Sequence, residues 1–93
     1  MGKLKLEPFR NEVREWIYNN RSLVEQAIIS CSKNCREGID INRKREVVCH
    51  GLFSYLPYEL KQRIYKAAEW QDNYIANLMI SVVKDVGLYN YII

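Results

Sequence analysis

Apolar residues recur at a helical spacing between positions 57 and 86, and this stripe constrains the fold more than any other feature of the chain. Its period is 3.6 residues, which disfavours a coiled coil. An unbroken helix over this range would be about 45 Å long, whereas a globule of this chain length is only about 30 Å across. We therefore predict that the last helix breaks or kinks near residues 70–73, where Gln71 interrupts the stripe and Asp72 can cap a new helix. The alternative is one long helix whose protruding end is covered by a second chain.

Two helices are predicted before residue 38. Pro8 suits the first position of a helix that runs to about residue 18. Ser22 and Glu25 have the spacing of a capping box, which predicts the start of a second helix. Gly38 is the residue expected to end it.

A third helix is predicted from about residue 42 to 54, with Asp40 or Asn42 as its cap. Gly51 lies inside this helix, where glycine costs about 1 kcal/mol relative to alanine. A glycine retained at such a position indicates a close helix crossing or a kink.

These patterns predict an all-α fold, with residues 1–93 forming a single small domain of four to five helices in an orthogonal or bundle-like arrangement. The expected core residues are Trp16, Ile28, Leu52, Ile64, Leu78 and Val82. Leu23 and Tyr55 continue the stripes of the second and third helices and are expected to face inward as well. A domain of this size buries only about two thirds of its surface, so association with another chain would add useful buried area.

Composition places the chain among intracellular proteins. The formal net charge of +3 permits acidic or nucleic-acid partners without requiring them. The first residues lack the apolar core of a signal peptide, and no apolar run approaches the length of a membrane span. Three cysteines, an odd number, argue against a secreted disulfide framework. We expect free thiols, a cytoplasmic or nuclear location and no membrane contact.

The residues most suggestive of chemistry are Cys31, Cys35, Cys49 and His50. Cys31 and Cys35 lie one helical turn apart, and four nitrogen and sulfur ligands would suit tetrahedral zinc. Neighbouring helical residues point about 100° apart, which disfavours a metal or a catalytic pair shared by Cys49 and His50. Because free cysteine is among the most buried residue types, we favour core packing and keep a zinc-stabilised domain as a lesser alternative. We expect no enzyme and no cofactor, since no carboxylate pair, phosphate loop or nucleotide motif is present.

Basic residues surround the junction between the predicted second and third helices. They are Lys33, Arg36, Arg43, Lys44 and Arg45. Together with the amides of a helix N-terminus they could bind phosphate groups, so nucleic-acid binding is an alternative function. Glu37, Asp40 and Glu46 dilute the positive field, so a solvated helix face explains the same residues.

Seven tyrosines and two tryptophans are a large aromatic content for this chain. Tyr58, Tyr65 and Trp70 fall off the face of Leu60 and Ile64, and exposed Tyr and Trp are enriched in protein interfaces. The charges around them balance, whereas single-strand binders combine aromatic residues with a positive groove. This contrast favours a protein partner.

The apolar segment of residues 88–93 must dock, either on its own core, which we favour, or on a neighbouring subunit. We therefore predict a small non-enzymatic protein-interaction or regulatory protein that forms homo-oligomers and binds a protein partner through its aromatic C-terminal half. The predicted interface residues are Tyr58, Tyr65, Trp70, Tyr89, Tyr91 and Ile92.

The segment Leu56-Pro57-Tyr58-Glu59-Leu60, followed by Ile64, resembles the opening of an F-box. The resemblance covers nine residues, and the later elements of that family are missing. The same residues describe any amphipathic helix with proline at its start and an acidic first turn, so no family is assigned.

Overall fold

Five α-helices make up most of residues 6–93, the part of the chain that the computed structural model describes. They are α1 (Phe9–Asn19), α2 (Arg21–Lys33), α3 (Ile41–Leu52), α4 (Tyr58–Ala67) and α5 (Asp72–Asp85). Short 3₁₀ turns, Phe53–Tyr55 and Tyr89–Tyr91, follow α3 and α5. No strand occurs in this range, so the predicted all-α class is confirmed. Residues 1–5 of the predicted domain lie outside the described residues.

The long apolar stripe is broken between α4 and α5, at residues 68–71, slightly before the predicted centre of the break. Glu69 and Trp70 both adopt left-handed backbone conformations, with φ of 53° and 60°. The Trp70 amide donates a hydrogen bond of 3.0 Å to the carbonyl of Tyr65, which satisfies one of the free carbonyls at the end of α4. The longest dimension of the molecule is 35 Å, shorter than an unbroken helix would require.

The break begins one turn before Asp72, which was predicted to cap the new helix. Asp72 is instead the first residue of α5, and Gln71 before it makes no side-chain capping bond. Asp72 still places a carboxylate in the first turn, where it interacts favourably with the helix dipole.

The predicted core is largely correct. Five of the six expected core residues are buried, namely Ile28, Leu52, Ile64, Leu78 and Val82. Trp16 is only partly buried and packs at the margin of this core. Leu23 and Tyr55 were predicted to face inward, which is wrong, since both side chains are exposed. Helix α2 buries Val24, Ala27 and Ile28, a stripe that leaves Leu23 outside, and α3 ends at Leu52, before its periodicity reaches Tyr55.

Helix α3 is central, because it packs against both α2 and α5. The crossing with α2 occurs at Gly51, as the glycine inside this helix predicted. A Cβ atom at position 51 would lie 3.3 Å from the sulfur of Cys31, which is tighter than ordinary van der Waals contact. The absence of a side chain at Gly51 therefore permits the close approach of α2 and α3.

Of the two helix starts predicted from capping residues, the one at Asp40 is confirmed and the one at Ser22 is wrong. Asp40 caps α3, since its carboxylate accepts hydrogen bonds from the amides of Asn42 (3.1 Å) and Arg43 (3.3 Å). The capping box at Ser22 is absent, because α2 already begins at Arg21. Only Asn20 separates α1 from α2, and Glu25 accepts a hydrogen bond from Arg21 instead of from the backbone.

The C-terminal segment packs on its own core, which is the arrangement favoured from the sequence. Leu88 and Ile92 are fully buried, and Gly87 turns the chain out of α5 with a φ of 78° that suits glycine. The guanidinium of Arg45 donates a hydrogen bond of 3.0 Å to the carbonyl of Ile92. The prediction of Ile92 as an interface residue is therefore wrong: its side chain fills the core of its own chain.

Replacing the buried Ile92 by alanine should lower the free energy of unfolding by about 2–5 kcal/mol, because it removes core packing and leaves a cavity. The neighbouring Ile93 is 83% exposed and provides a matched control. At a concentration low enough for the chain to be monomeric, its replacement by alanine should change stability by less than about 0.5 kcal/mol. Urea unfolding followed by circular dichroism measures both values, and equal effects of the two substitutions would contradict the docked position of Ile92.

The close contact between Gly51 and Cys31 can be tested with a double-mutant cycle. In the wild-type background, Gly51→Ala gains helix propensity, but its new methyl group is crowded by the sulfur of Cys31. In a Cys31→Ala background the crowding is relieved, so the same substitution should stabilise the protein by about 1 kcal/mol. Denaturant unfolding of the four proteins gives the coupling, and a coupling of zero would refute the contact.

Candidate interaction surfaces

Tyr65 and Trp70 form a stacked aromatic pair at the break between α4 and α5, and we call this pair the aromatic surface. Their ring centroids are 5.0 Å apart and their planes differ by 16°. Phe53 supports the pair from the core, with its ring edge-on to Tyr65 at 5.1 Å. Trp70 remains 65% exposed although it is stacked. One large aromatic face is thus held in a fixed position and open to solvent.

The backbone of the turn places Trp70 on Tyr65. A left-handed conformation is rare for a bulky residue and costs about 1–3 kcal/mol. Both Glu69 and Trp70 adopt it, and the hydrogen bond from the Trp70 amide to the Tyr65 carbonyl closes the turn between the two stacked residues. Such strained residues concentrate at functional sites.

The charges near the aromatic surface balance, as the sequence indicated. Residues 59–72 contain Lys61, Arg63 and Lys66 against Glu59, Glu69 and Asp72. Arg63 is also neutralised directly, because both of its terminal nitrogens donate to the carboxylate of Glu12 on α1, at 2.6 and 3.0 Å. The hydrogen bonds to Glu12 raise the pKa of Arg63.

The other predicted interface residues do not join the aromatic surface. Tyr58 is highly exposed at the opposite end of α4, two turns and about 10 Å along the helix axis from Tyr65. Tyr89 is partly buried between cations, with Lys84 at 4.7 Å and Arg45 at 5.5 Å from its ring centre. Tyr91 is exposed and lines a groove with Lys33 and Lys44, and neither Tyr65 nor Trp70 contributes to that groove.

The predicted basic cluster is divided by the fold. Arg45 holds the C-terminal segment through Ile92 and Tyr89, so its guanidinium serves the core packing. Arg43 forms an ion pair with Glu46 at 3.6 Å. Lys33 and Lys44 both line one groove, and neither forms an ion pair with a described residue. Arg36 is exposed in the connection between α2 and α3. Nucleic-acid binding by these residues stays a prediction.

The groove beside Lys33 and Lys44 combines these two residues of the predicted basic cluster with Tyr91, one of the predicted interface residues. It has a volume of about 290 Å³ and is lined by Ile28, Ile29, Ser32, Lys33, Lys44, Tyr91 and Ile93. Ile29, Tyr91 and Ile93 are exposed apolar residues. We call Ile29, Lys33, Lys44, Tyr91 and Ile93 the basic surface. Sequence patterns did not identify it, because its residues come from α2, α3 and the C-terminal segment and meet only in the folded chain.

A second depression, about 620 Å³ in volume, lies between α1 and α4. Trp16, Pro57 and Leu60 provide apolar lining, and Glu15 and Glu59 stand beside them. Neither of these two carboxylates forms an ion pair with a described residue. Glu12 and Arg63 also line the depression, but they neutralise each other. We call Glu15, Trp16, Pro57, Glu59 and Leu60 the acidic depression.

The cysteines do not form a metal site within residues 6–93, where no three His, Cys, Asp or Glu side chains lie close enough to share an ion. Cys49 is buried in the core, whereas Cys31 and Cys35 are only partly buried and Cys35 donates to the carbonyl of Cys31 at 3.4 Å. The lesser alternative of zinc bound by Cys31, Cys35 and Cys49 therefore lacks its ligand set.

Burial also makes Cys49 a poor nucleophile. Removal from solvent raises the pKa of Cys49 to about 12, with nearby Lys84 opposing the shift and Glu46 adding to it. Burial raises the pKa of Cys31 as well, with a further contribution from Cys35. His50, next to Cys49, is exposed, so the adjacent side chains point into different environments.

Comparisons with protein-family models, with curated proteins and with solved structures found no match. Within residues 6–93, none of the helices has both the length and the apolar character needed to cross a bilayer.

The position of Cys49 predicts selective thiol labelling. At pH 8 an alkylating reagent should modify the partly buried Cys31 and Cys35 well before Cys49 in the folded protein, because Cys49 is buried, its pKa is raised to about 12 and only the thiolate reacts. In denaturant all three thiols should react. Burial raises the pKa of Cys49 in the folded state, so between about pH 9 and pH 12 only the unfolded state loses the thiol proton. The free energy of unfolding should therefore fall as the pH rises through this range. Peptide mass spectrometry measures the labelling, and rapid modification of Cys49 in the folded state would contradict its burial.

Proposed function

We propose that this protein is a small, non-enzymatic interaction or regulatory protein that self-associates and binds a protein partner through the aromatic surface. The observation that carries the proposal is the position of Trp70, stacked on Tyr65 by a strained turn and yet 65% exposed. Tryptophan and tyrosine dominate the binding energy of protein interfaces. A ring that is already fixed loses little conformational entropy when a partner covers it.

The balanced charge around Trp70 supports a protein partner over a nucleic acid. Base-stacking residues in nucleic-acid binders are accompanied by an unneutralised positive groove. Here Arg63, the arginine of α4, is paired with Glu12. Lys61 and Lys66 also lie on α4, but Glu59, Glu69 and Asp72 balance the positive charge of this segment. Lys33 and Lys44 line the groove of the basic surface, whose lining includes neither Tyr65 nor Trp70.

The positions of the thiols support a non-enzymatic role in a reducing compartment. Cys49, the thiol next to the single histidine, is buried with a raised pKa, and His50 faces solvent. All three cysteines are free, which suits the cytoplasm or the nucleus.

Replacing Trp70 by alanine should weaken partner binding by about 30-fold or more, which is the loss expected when an interface hot spot is removed. Tyr18→Ala on α1 is the matched control, since this aromatic residue is also largely exposed, at 54%. Proteins captured from a host lysate by the wild type and by Tyr18→Ala, but lost with Trp70→Ala, identify the partner. Calorimetry with the purified partner then gives the loss of affinity.

Fluorescence provides a direct check on the same contact. In a Trp16→Phe variant Trp70 is the sole tryptophan, so its emission should move to shorter wavelength and resist acrylamide quenching when the partner is added. A partner that binds Trp70→Ala as tightly as the wild type, with unchanged Trp70 emission, would overturn the assignment of this surface.

A further inference from the structure

The basic surface and the acidic depression carry opposite charges and are built from different residues. Lys33 and Lys44 give the first two positively charged side chains, and neither lysine has an ion-pair partner among the described residues. Glu15 and Glu59 give the second an excess of two negative charges, because Glu12 is neutralised by Arg63. Unpaired charges of opposite sign on separate surfaces favour association between molecules.

The two surfaces also match in apolar character. Tyr91 and the highly exposed Ile93 stand beside the lysines of the basic surface. The acidic depression is wide and shallow, and its lining residues Trp16, Pro57 and Leu60 are apolar. Exposed apolar side chains beside cations on one surface are therefore complementary to apolar side chains beside carboxylates on the other. Burial of Tyr91 and Ile93 would supply hydrophobic energy, and the ion pairs would fix the register.

We propose that self-association occurs head to tail, with the basic surface of one copy seated in the acidic depression of the next. This inference deepens the proposed function by naming the surfaces through which the chain self-associates, and the aromatic surface remains free for another partner. Because the two surfaces share no residue, each copy can use both at once. A contact of this heterologous kind produces closed rings or open chains of subunits instead of a two-fold symmetric dimer.

Charge reversal on each surface provides the test. The first variant carries Lys33→Glu and Lys44→Glu, and the second carries Glu15→Lys and Glu59→Lys. The wild type should exceed its monomer mass of 11.1 kDa in light scattering as concentration rises, and the excess should shrink at high salt, which screens these exposed charges. Each variant alone should stay monomeric, since like charges then face each other. An equimolar mixture of the two variants should associate again, because every contact in an alternating assembly pairs opposite charges.

The mixture separates the proposed contact from a loss of folding, and circular dichroism confirms that each variant is helical. Trp70→Ala should self-associate like the wild type, so failure of the aromatic surface and failure of this contact are distinguishable. The inference is overturned if the wild type stays monomeric at millimolar concentration and low salt, if either variant alone associates normally, or if the mixture stays monomeric. A monomeric wild type that binds an oligonucleotide in a salt-dependent manner through Lys33 and Lys44 would overturn it in favour of nucleic-acid binding.

Discussion

The left-handed turn at Glu69 and Trp70 is the constraint on which the arrangement of the second half depends. It divides an apolar stripe of nearly thirty residues into two helices, so that Ile64 and Ile75 can both be fully buried in one core. Without a break, about 45 Å of helix would extend beyond a molecule 35 Å long. The same turn places the indole of Trp70 on Tyr65, so the element that permits compact packing also creates an exposed aromatic face.

Arg45 stabilises the fold, although a basic residue beside Arg43 and Lys44 was predicted to bind a ligand. It lies in a run of three basic residues, yet its guanidinium reaches the carbonyl of Ile92 and the ring of Tyr89. A charged donor to a backbone carbonyl is a strong hydrogen bond, and here it secures the C-terminal segment over α3. The basic cluster predicted from the sequence is reduced accordingly, and Lys33 and Lys44 become the unpaired cations of a surface that also contains Tyr91.

The proposed interaction role depends on three observations, namely the fixed aromatic contact, the oppositely charged surfaces and the burial of Cys49. The exposed groups are of the kinds that bind other proteins, namely a fixed indole and two oppositely charged surfaces with apolar residues. The most nucleophile-like group, Cys49, is instead sealed in the core, where a thiol behaves as a small apolar side chain. The small size of the chain gives association an additional physical advantage, because each contact buries surface that a single copy leaves in water.

The sequence by itself determined the helical class and most of the core, and it left two alternatives each for the long stripe, the cap of α3 and the role of Gly51. These features depend on periodicity and on local backbone chemistry, which are properties of neighbouring residues. Only the tertiary structure decided that Leu23 is exposed, that Ile92 is buried, and that Lys33 and Lys44 share a groove. Periodicity shows which side of a helix is apolar, but burial depends on which neighbouring element covers that side. The candidate surfaces combine residues distant in sequence, so no local pattern could identify them.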